Sequence, residues 1–193
     1  DLISKVKSGP VLVPQHATLN VDDYTGQNLV LSTTADDGTG LQYTVETINI
    51  TIASQQTINL VREFLPDQAQ ITLLPEASVQ ISADDFSVDL NGADSGSPAF
   101  KDQFNTVSGG LKAEIIVTDY SGQDIRSITG TGVQTDQIDV VVRLSESSVA
   151  DISADSNLLD QAESIVFTDS SELVISESQA LELKDKFTID VSS

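Results

Sequence analysis

The chain has 193 residues, nine basic and thirty acidic, and its formal charge of −21 excludes a surface built to neutralise the phosphates of nucleic acid or of an anionic membrane. It has no Cys, Met or Trp, which excludes disulfides, thiolate metal sites and thiol nucleophiles. With 39% apolar residues and β-branched side chains spread throughout, the charge belongs to a folded, soluble protein and not to a disordered tail.

Alternating apolar residues predict strands at 16–20 (Ala17, Leu19), 28–33 (Leu29, Leu31), 41–53, where Ile48, Ile50 and Ile52 keep a period of two, and 70–74. Before the last of these, Ser54 as a cap, Ile58, Val61, Phe64 and Leu65 on one face and Pro66 as terminator predict a helix. A short strand ending at Ile81 follows, and Ser82 stands where it can cap a short helix. The second half gives strands at 112–119, 125–128 and 138–144, then a weaker helix over 147–162 interrupted by Ser153, Asp155, Ser156 and Asn157. Strands at 165–168 and up to Ile175 come next, and Ser176 heads a helix through Gln179 and Leu181. A strand, helix, strand order would give a βαβ crossover if its strands are parallel, while the remaining strands favour antiparallel or mixed sheets. The expected fold is mainly β (α+β), with mixed or antiparallel strands and one or two short helices per module, and β-sandwich modules as the alternative.

The chain also repeats itself. Val21-Asp22-Asp23-Tyr24-Thr25-Gly26-Gln27 returns as Val117-Thr118-Asp119-Tyr120-Ser121-Gly122-Gln123, with the tyrosines 96 residues apart, and Asp67-Gln68-Ala69 and Ile81-Ser82 return in order as Asp160-Gln161-Ala162 and Ile175-Ser176. Two tandem modules, 1–100 and 101–193, are expected, with the Gly/Ser/Pro-rich stretch 89–98 as a loop or linker between them. The absence of methionine predicts a start inside a longer polypeptide or after processing.

Oxygen ligands at short spacing make Asp89, Asn91 and Asp94 the sharpest candidates for a hard cation such as calcium, although the spacing is not that of an EF-hand and an Asn-Gly turn would explain it equally. Asp23 and Asp119 are further candidates because the duplication repeats them, along with the pairs Asp22-Asp23, Asp36-Asp37 and Asp84-Asp85; an Asp holding a turn with Tyr packed on it accounts for the recurrence without metal. Asp94-Ser95-Gly96 has the letters of an aspartic-protease loop, but there is no second Asp-[Ser/Thr]-Gly to share its proton. His16 is the single imidazole and no G-x-S-x-G elbow exists, so neither zinc nor triad chemistry is supported. Asn49-Ile50-Thr51 fits a glycosylation sequon inside the strongest strand.

The segments Ala162-Glu163-Ser164-Ile165-Val166-Phe167-Thr168-Asp169 and Leu173-Val174-Ile175-Ser176-Glu177-Ser178-Gln179-Ala180-Leu181 resemble modules repeated in very large secreted bacterial surface proteins of the adhesin and S-layer type. That resemblance implies secretion, a cell-surface location and calcium dependence, in an extender or scaffold region. The function expected is a non-catalytic structural or adhesive tandem module whose partners are neighbouring repeats of the same chain or like chains, with calcium as cofactor and neither nucleic-acid binding nor membrane insertion. A carbohydrate- or protein-binding module of an extracellular enzyme is the alternative, and it requires an exposed aromatic platform, for which Tyr24, Tyr43, Tyr120 and six phenylalanines are available.

Overall fold

The computed structural model describes residues 17–29, 45–65, 69–87, 103–107, 110–123, 125, 137–155, 159 and 162–189. Its organising device is a tight corner between two strands that lie in different sheets. Strand β2 (Val45–Ile52) turns Ile48, Ile50 and Ile52 inward; the chain then bends through Ala53-Ser54-Gln55-Gln56 and leaves as β3 (Thr57–Asn59). The bend closes with Gln56 N–H donating to the Ala53 carbonyl at 3.3 Å, and its third residue, Gln55, is left-handed at φ 62°. The same corner recurs at 74–77 between β4 (Ala69–Leu73) and β5 (Ser78–Ser82), at 145–148 between β8 (Ile138–Leu144) and β9 (Val149–Asp151), and at 168–171 between β10 (Ala162–Phe167) and β11 (Glu172–Val174). Glu76, Ser147 and Ser170 take the left-handed position, at φ 63°, 53° and 59°.

Corners one circuit apart stack. Gln55 N–H donates to the Glu76 carbonyl at 3.1 Å and Ser147 N–H to the Asp169 carbonyl at 3.3 Å, while Ser78 N–H reaches Gln56 and Glu172 N–H reaches Ser148, both at 2.8 Å. Each returning strand therefore lies parallel to the strand one circuit earlier, and the chain winds as a coil of parallel strands. One sheet runs β1 (Ala17–Val21), β2, β4, β6 (Phe104–Thr106); a six-stranded sheet runs β12 (Phe187–Ile189), β10, β8, β7 (Ala113–Tyr120), β5, β3; and β11 pairs with β9. Every strand pairing among the described residues is parallel.

In-register parallel strands align like side chains into rows across the sheet. Ile58, Val79, Ile115, Val140 and Ala162 form one such row of the six-stranded sheet, and Ile81, Val117, Val142, Ile165 and Phe187 another. All of the first row is buried, and both rows belong to a core that takes residues from before and after residue 100.

The expected mixed or antiparallel sheets, and the sandwich alternative, are thus overturned. The two expected interior helices, over 54–65 and 147–162, are also replaced by a corner and a short strand. In the first, Ile58 and Leu60 are buried with a period of two while Val61 and Phe64 are half-buried, so the β-branched Thr57-Ile58 pair obeys the sheet and only Arg62–Phe64 forms a single 3-10 turn. The connection from β2 to β4 joins parallel strands, as a βαβ unit would, but through β3 instead of a helix. Leu29 and Ile125 are buried outside any strand, and the remainder of 30–33 and 126–128 lies outside the described residues.

Short helices do appear where capping serines were expected. α1 (Ala83–Ser87) begins with Asp85 N–H donating to Ser82 Oγ at 3.1 Å, and α2 (Glu177–Leu183) with Gln179 N–H donating to Ser176 Oγ at 3.3 Å. The order β7 to β11, α2, β12 then repeats, element by element and pair by pair, the order β1 to β5, α1, β6.

Candidate functional site

The duplicated D-Y-[ST]-G-Q segments follow β1 and β7 and adopt the same turn twice. Asp23 and Asp119 are left-handed at φ 55° and 56°, and Gly26 and Gly122 sit at φ 90° and 114°, where a side chain would be strained. The glutamine of each copy folds back: Thr25 N–H donates to Gln27 Oε1 at 3.0 Å and Ser121 N–H to Gln123 Oε1 at 2.8 Å, with each amide nitrogen returning a bond to the Thr25 or Ser121 hydroxyl. Each glycine lies against the third strand of its own copy; a Cβ on Gly26 would stand 3.6 Å from the Asn59 carbonyl on β3 and one on Gly122 3.8 Å from that of Asp151 on β9. In the first copy this contact borders an open groove of about 450 Å³ lined by Thr25, Gly26, Gln56, Thr57, Ile58 and Asn59.

Tyr24 and Tyr120 point inward, 1% and 0% exposed, so neither serves an aromatic platform; Tyr43 lies outside the described residues. The Tyr24 hydroxyl donates to the Gln27 carbonyl at 2.8 Å, and burial pushes its pKa from 10.0 up to about 12. The folded chain therefore holds this proton more tightly than the unfolded chain. Its stabilisation is fully present below pH 10.0 and is lost as pH rises through about 12. The urea midpoint should accordingly fall more steeply across that alkaline window in the parent chain than in Tyr24→Phe, and parallel pH profiles would contradict this.

The calcium candidates divide. Asp89, Asn91 and Asp94 lie outside the described residues, as do Asp36-Asp37 and His16. Asp23 and Asp119 are placed by the turn just described, and the Asp119 carboxylate accepts from the Thr118 hydroxyl at 3.0 Å. Among the described residues no three His, Cys, Asp or Glu side chains come together as a metal-binding group, and no helix is long and apolar enough to cross a membrane. Asp84 accepts from Gln123 Nε2 at 2.7 Å, and Asp151, fully exposed, is held below the usual carboxylate range by the hydroxyl and backbone N–H of Ser153. Asn49 Nδ2 donates to Asn20 Oδ1 at 2.9 Å, tying the sequon asparagine on β2 to β1.

Sequence reasoning missed the junction between the two repeats. There β5 of the first pairs with β7 of the second, Ser78 to Ser82 opposite Glu114 to Thr118. Ser78 Oγ donates to Glu114 Oε2 at 3.0 Å, Glu76 N–H to the Lys112 carbonyl at 3.0 Å, and Glu114 N–H to the Ala77 carbonyl at 2.8 Å. The signal for this winding was a shorter period: Ile50 to Leu60, Ile71 to Ile81, Val142 to Ile152 and Ile165 to Ile175 align position by position around their corners. Searches of protein families, curated proteins and solved structures find no match to this chain.

Proposed function

We propose that the chain is a non-catalytic structural or adhesive tandem module, two like units, the first running to β6 (Phe104–Thr106) and the second opening with β7 (Ala113–Tyr120), that extend a cell-surface or secreted bacterial protein. The observation that carries this reading is the β5 to β7 pairing, which joins one repeat to the next through backbone hydrogen bonds and buried rows instead of a tether. A coil stacked this way resists extension as one body, because β2, β4, β5, β7, β8 and β10 are each held on both sides by neighbouring parallel strands. The acidity and the lack of cysteine agree with a secreted setting in which calcium supplements packing.

Pulling the chain between residues 17 and 189 tests the mechanical role: it should yield in a single cooperative step, and piecemeal extension at low force would remove the reading. Melting with excess calcium against chelator tests the cation separately. A higher melting temperature with calcium is expected, and superimposable curves would discard that part alone.

A further inference from the structure

We propose that the outer edge of β11 is a docking edge for β1 of a second copy of this chain placed after it in tandem, so that copies fuse into one continuous coil. The inference rests on the structural-module reading and adds the contact by which one copy meets the next. The internal junction supplies the template. β5 carries β3 on one side and β7 on the other; β11, its counterpart in the second repeat, carries β9 and, among the described residues, nothing on its other side. β7 is in turn the counterpart of β1, which among the described residues pairs with β2 alone. What β7 does to β5, the next β1 would do to β11.

Burial supports the correspondence. On β5, where β7 covers the edge, Val79 and Ile81 are 0% exposed, whereas their counterparts Leu173 and Ile175 are only half-buried and Val174 is 40% exposed. The backbone is set for the same pairing. Ser78 N–H and the Gln80 carbonyl face β3, leaving residues 77, 79 and 81 for β7; Glu172 N–H and the Val174 carbonyl face β9, leaving 173 and 175 for the newcomer.

The register of the junction then places Glu172 opposite Thr18, Leu173 opposite Leu19, Val174 opposite Asn20 and Ile175 opposite Val21. Polar partners are preserved with their roles exchanged. Where the Ser78 hydroxyl donates to Glu114, the Thr18 hydroxyl donates to Glu172; where Gln123 donates to Asp84, Gln27 meets Ser178. Because the donor edge and the acceptor edge differ, the contact is head-to-tail and does not close on itself, which is the geometry of an extending array.

A fusion of two complete chains, Ser193 joined to a second Asp1, tests this by hydrogen exchange read on the peptide containing Leu173 and Ile175. In the single chain that peptide should exchange as one fast population. In the fusion half of it should become protected, by about a hundredfold, because only the first copy's β11 is covered. Val174→Cys in the first copy and Asn20→Cys in the second, the only thiols present, should form a disulfide. On separate molecules the same two substitutions should give mixed disulfide-linked dimers at high concentration. A single fast population together with no disulfide in either format overturns the docking. If the fusion nonetheless still yields cooperatively under tension, the structural reading survives as a string of independent modules, so the two failures are distinguishable.

Discussion

Ile115→Ala should lower the melting temperature of the whole chain and not of one repeat. Ile115 is 0% exposed in the middle of the six-stranded sheet, opposite Val79 of the first repeat and Val140 of the second, both of them buried. Truncation removes apolar contact on both sides and leaves a cavity that a row of in-register side chains cannot collapse around, at a cost of about 2–5 kcal/mol. For a chain of this size that is a fall of roughly 5–15 °C. Strands β3 and β5 should lose hydrogen-exchange protection together with β8 and β10, because β7 is the strand through which both sides cohere. Two separate transitions, with only one displaced, would show that the halves fold independently and that β7 is not a shared element.

Gln179→Leu should destabilise the chain by about 2–4 kcal/mol despite filling nearly the same volume. Gln179 is 1% exposed, and its amide nitrogen donates to the Ile152 carbonyl at 2.7 Å and the Asp155 carbonyl at 3.2 Å, while its oxygen accepts from Ser176 N–H at 2.6 Å. With Ser176 Oγ accepting from Gln179 N–H, this is a complete capping box that also ties α2 to the segment following β9. Leucine fits the space and keeps only the backbone bond to Ser176 Oγ, so the cost is that of the three buried side-chain hydrogen bonds lost and not of a void. Gln179→Ala should lose at least as much, whereas Glu182→Ala on the exposed face should be close to neutral. A leucine variant as stable as the parent would mean that packing alone holds α2 in place.

The duplicated tyrosine turn shows where sequence reasoning has purchase. Asp23-Tyr24 and Asp119-Tyr120 fit in sequence either a cation site or a turn with tyrosine packed on it, and in both copies the backbone adopts the same left-handed geometry with the ring buried. The signal was legible because it is local: a glycine at positive φ, a glutamine reaching two residues back, an aromatic ring held against its own turn. The capping serines were legible for the same reason, since Ser82 and Ser176 each bond a backbone N–H three residues ahead. Asp89, Asn91 and Asp94 lie outside the described residues.

The corners carry no local mark because their central pairs Ser54-Gln55 and Glu146-Ser147 lack glycine, although a turn with a left-handed third residue favours one there. Without that mark, Ile58 to Leu65 satisfied a helical spacing as readily as a strand. The β-branched pair Thr57-Ile58 is decided by what lies beside it: Ser78-Val79 one circuit away, whose backbone completes the hydrogen bonds that an isolated three-residue strand cannot make.

By itself, then, the sequence determined the duplication, the β-rich composition, the two tyrosine turns, the serine caps and the exclusion of thiol chemistry. Only the tertiary structure decided that the strands are parallel, that corners replace the interior helices, and that β5 meets β7 to carry one sheet from the first repeat into the second. The physical reason is one of range. Turns and caps are satisfied by groups within three residues of one another, whereas the direction and partner of a strand depend on hydrogen bonds to a segment twenty or more residues away, as Gln55 to Glu76 and Ile50 to Ile71 are, and no local pattern records which segment that will be.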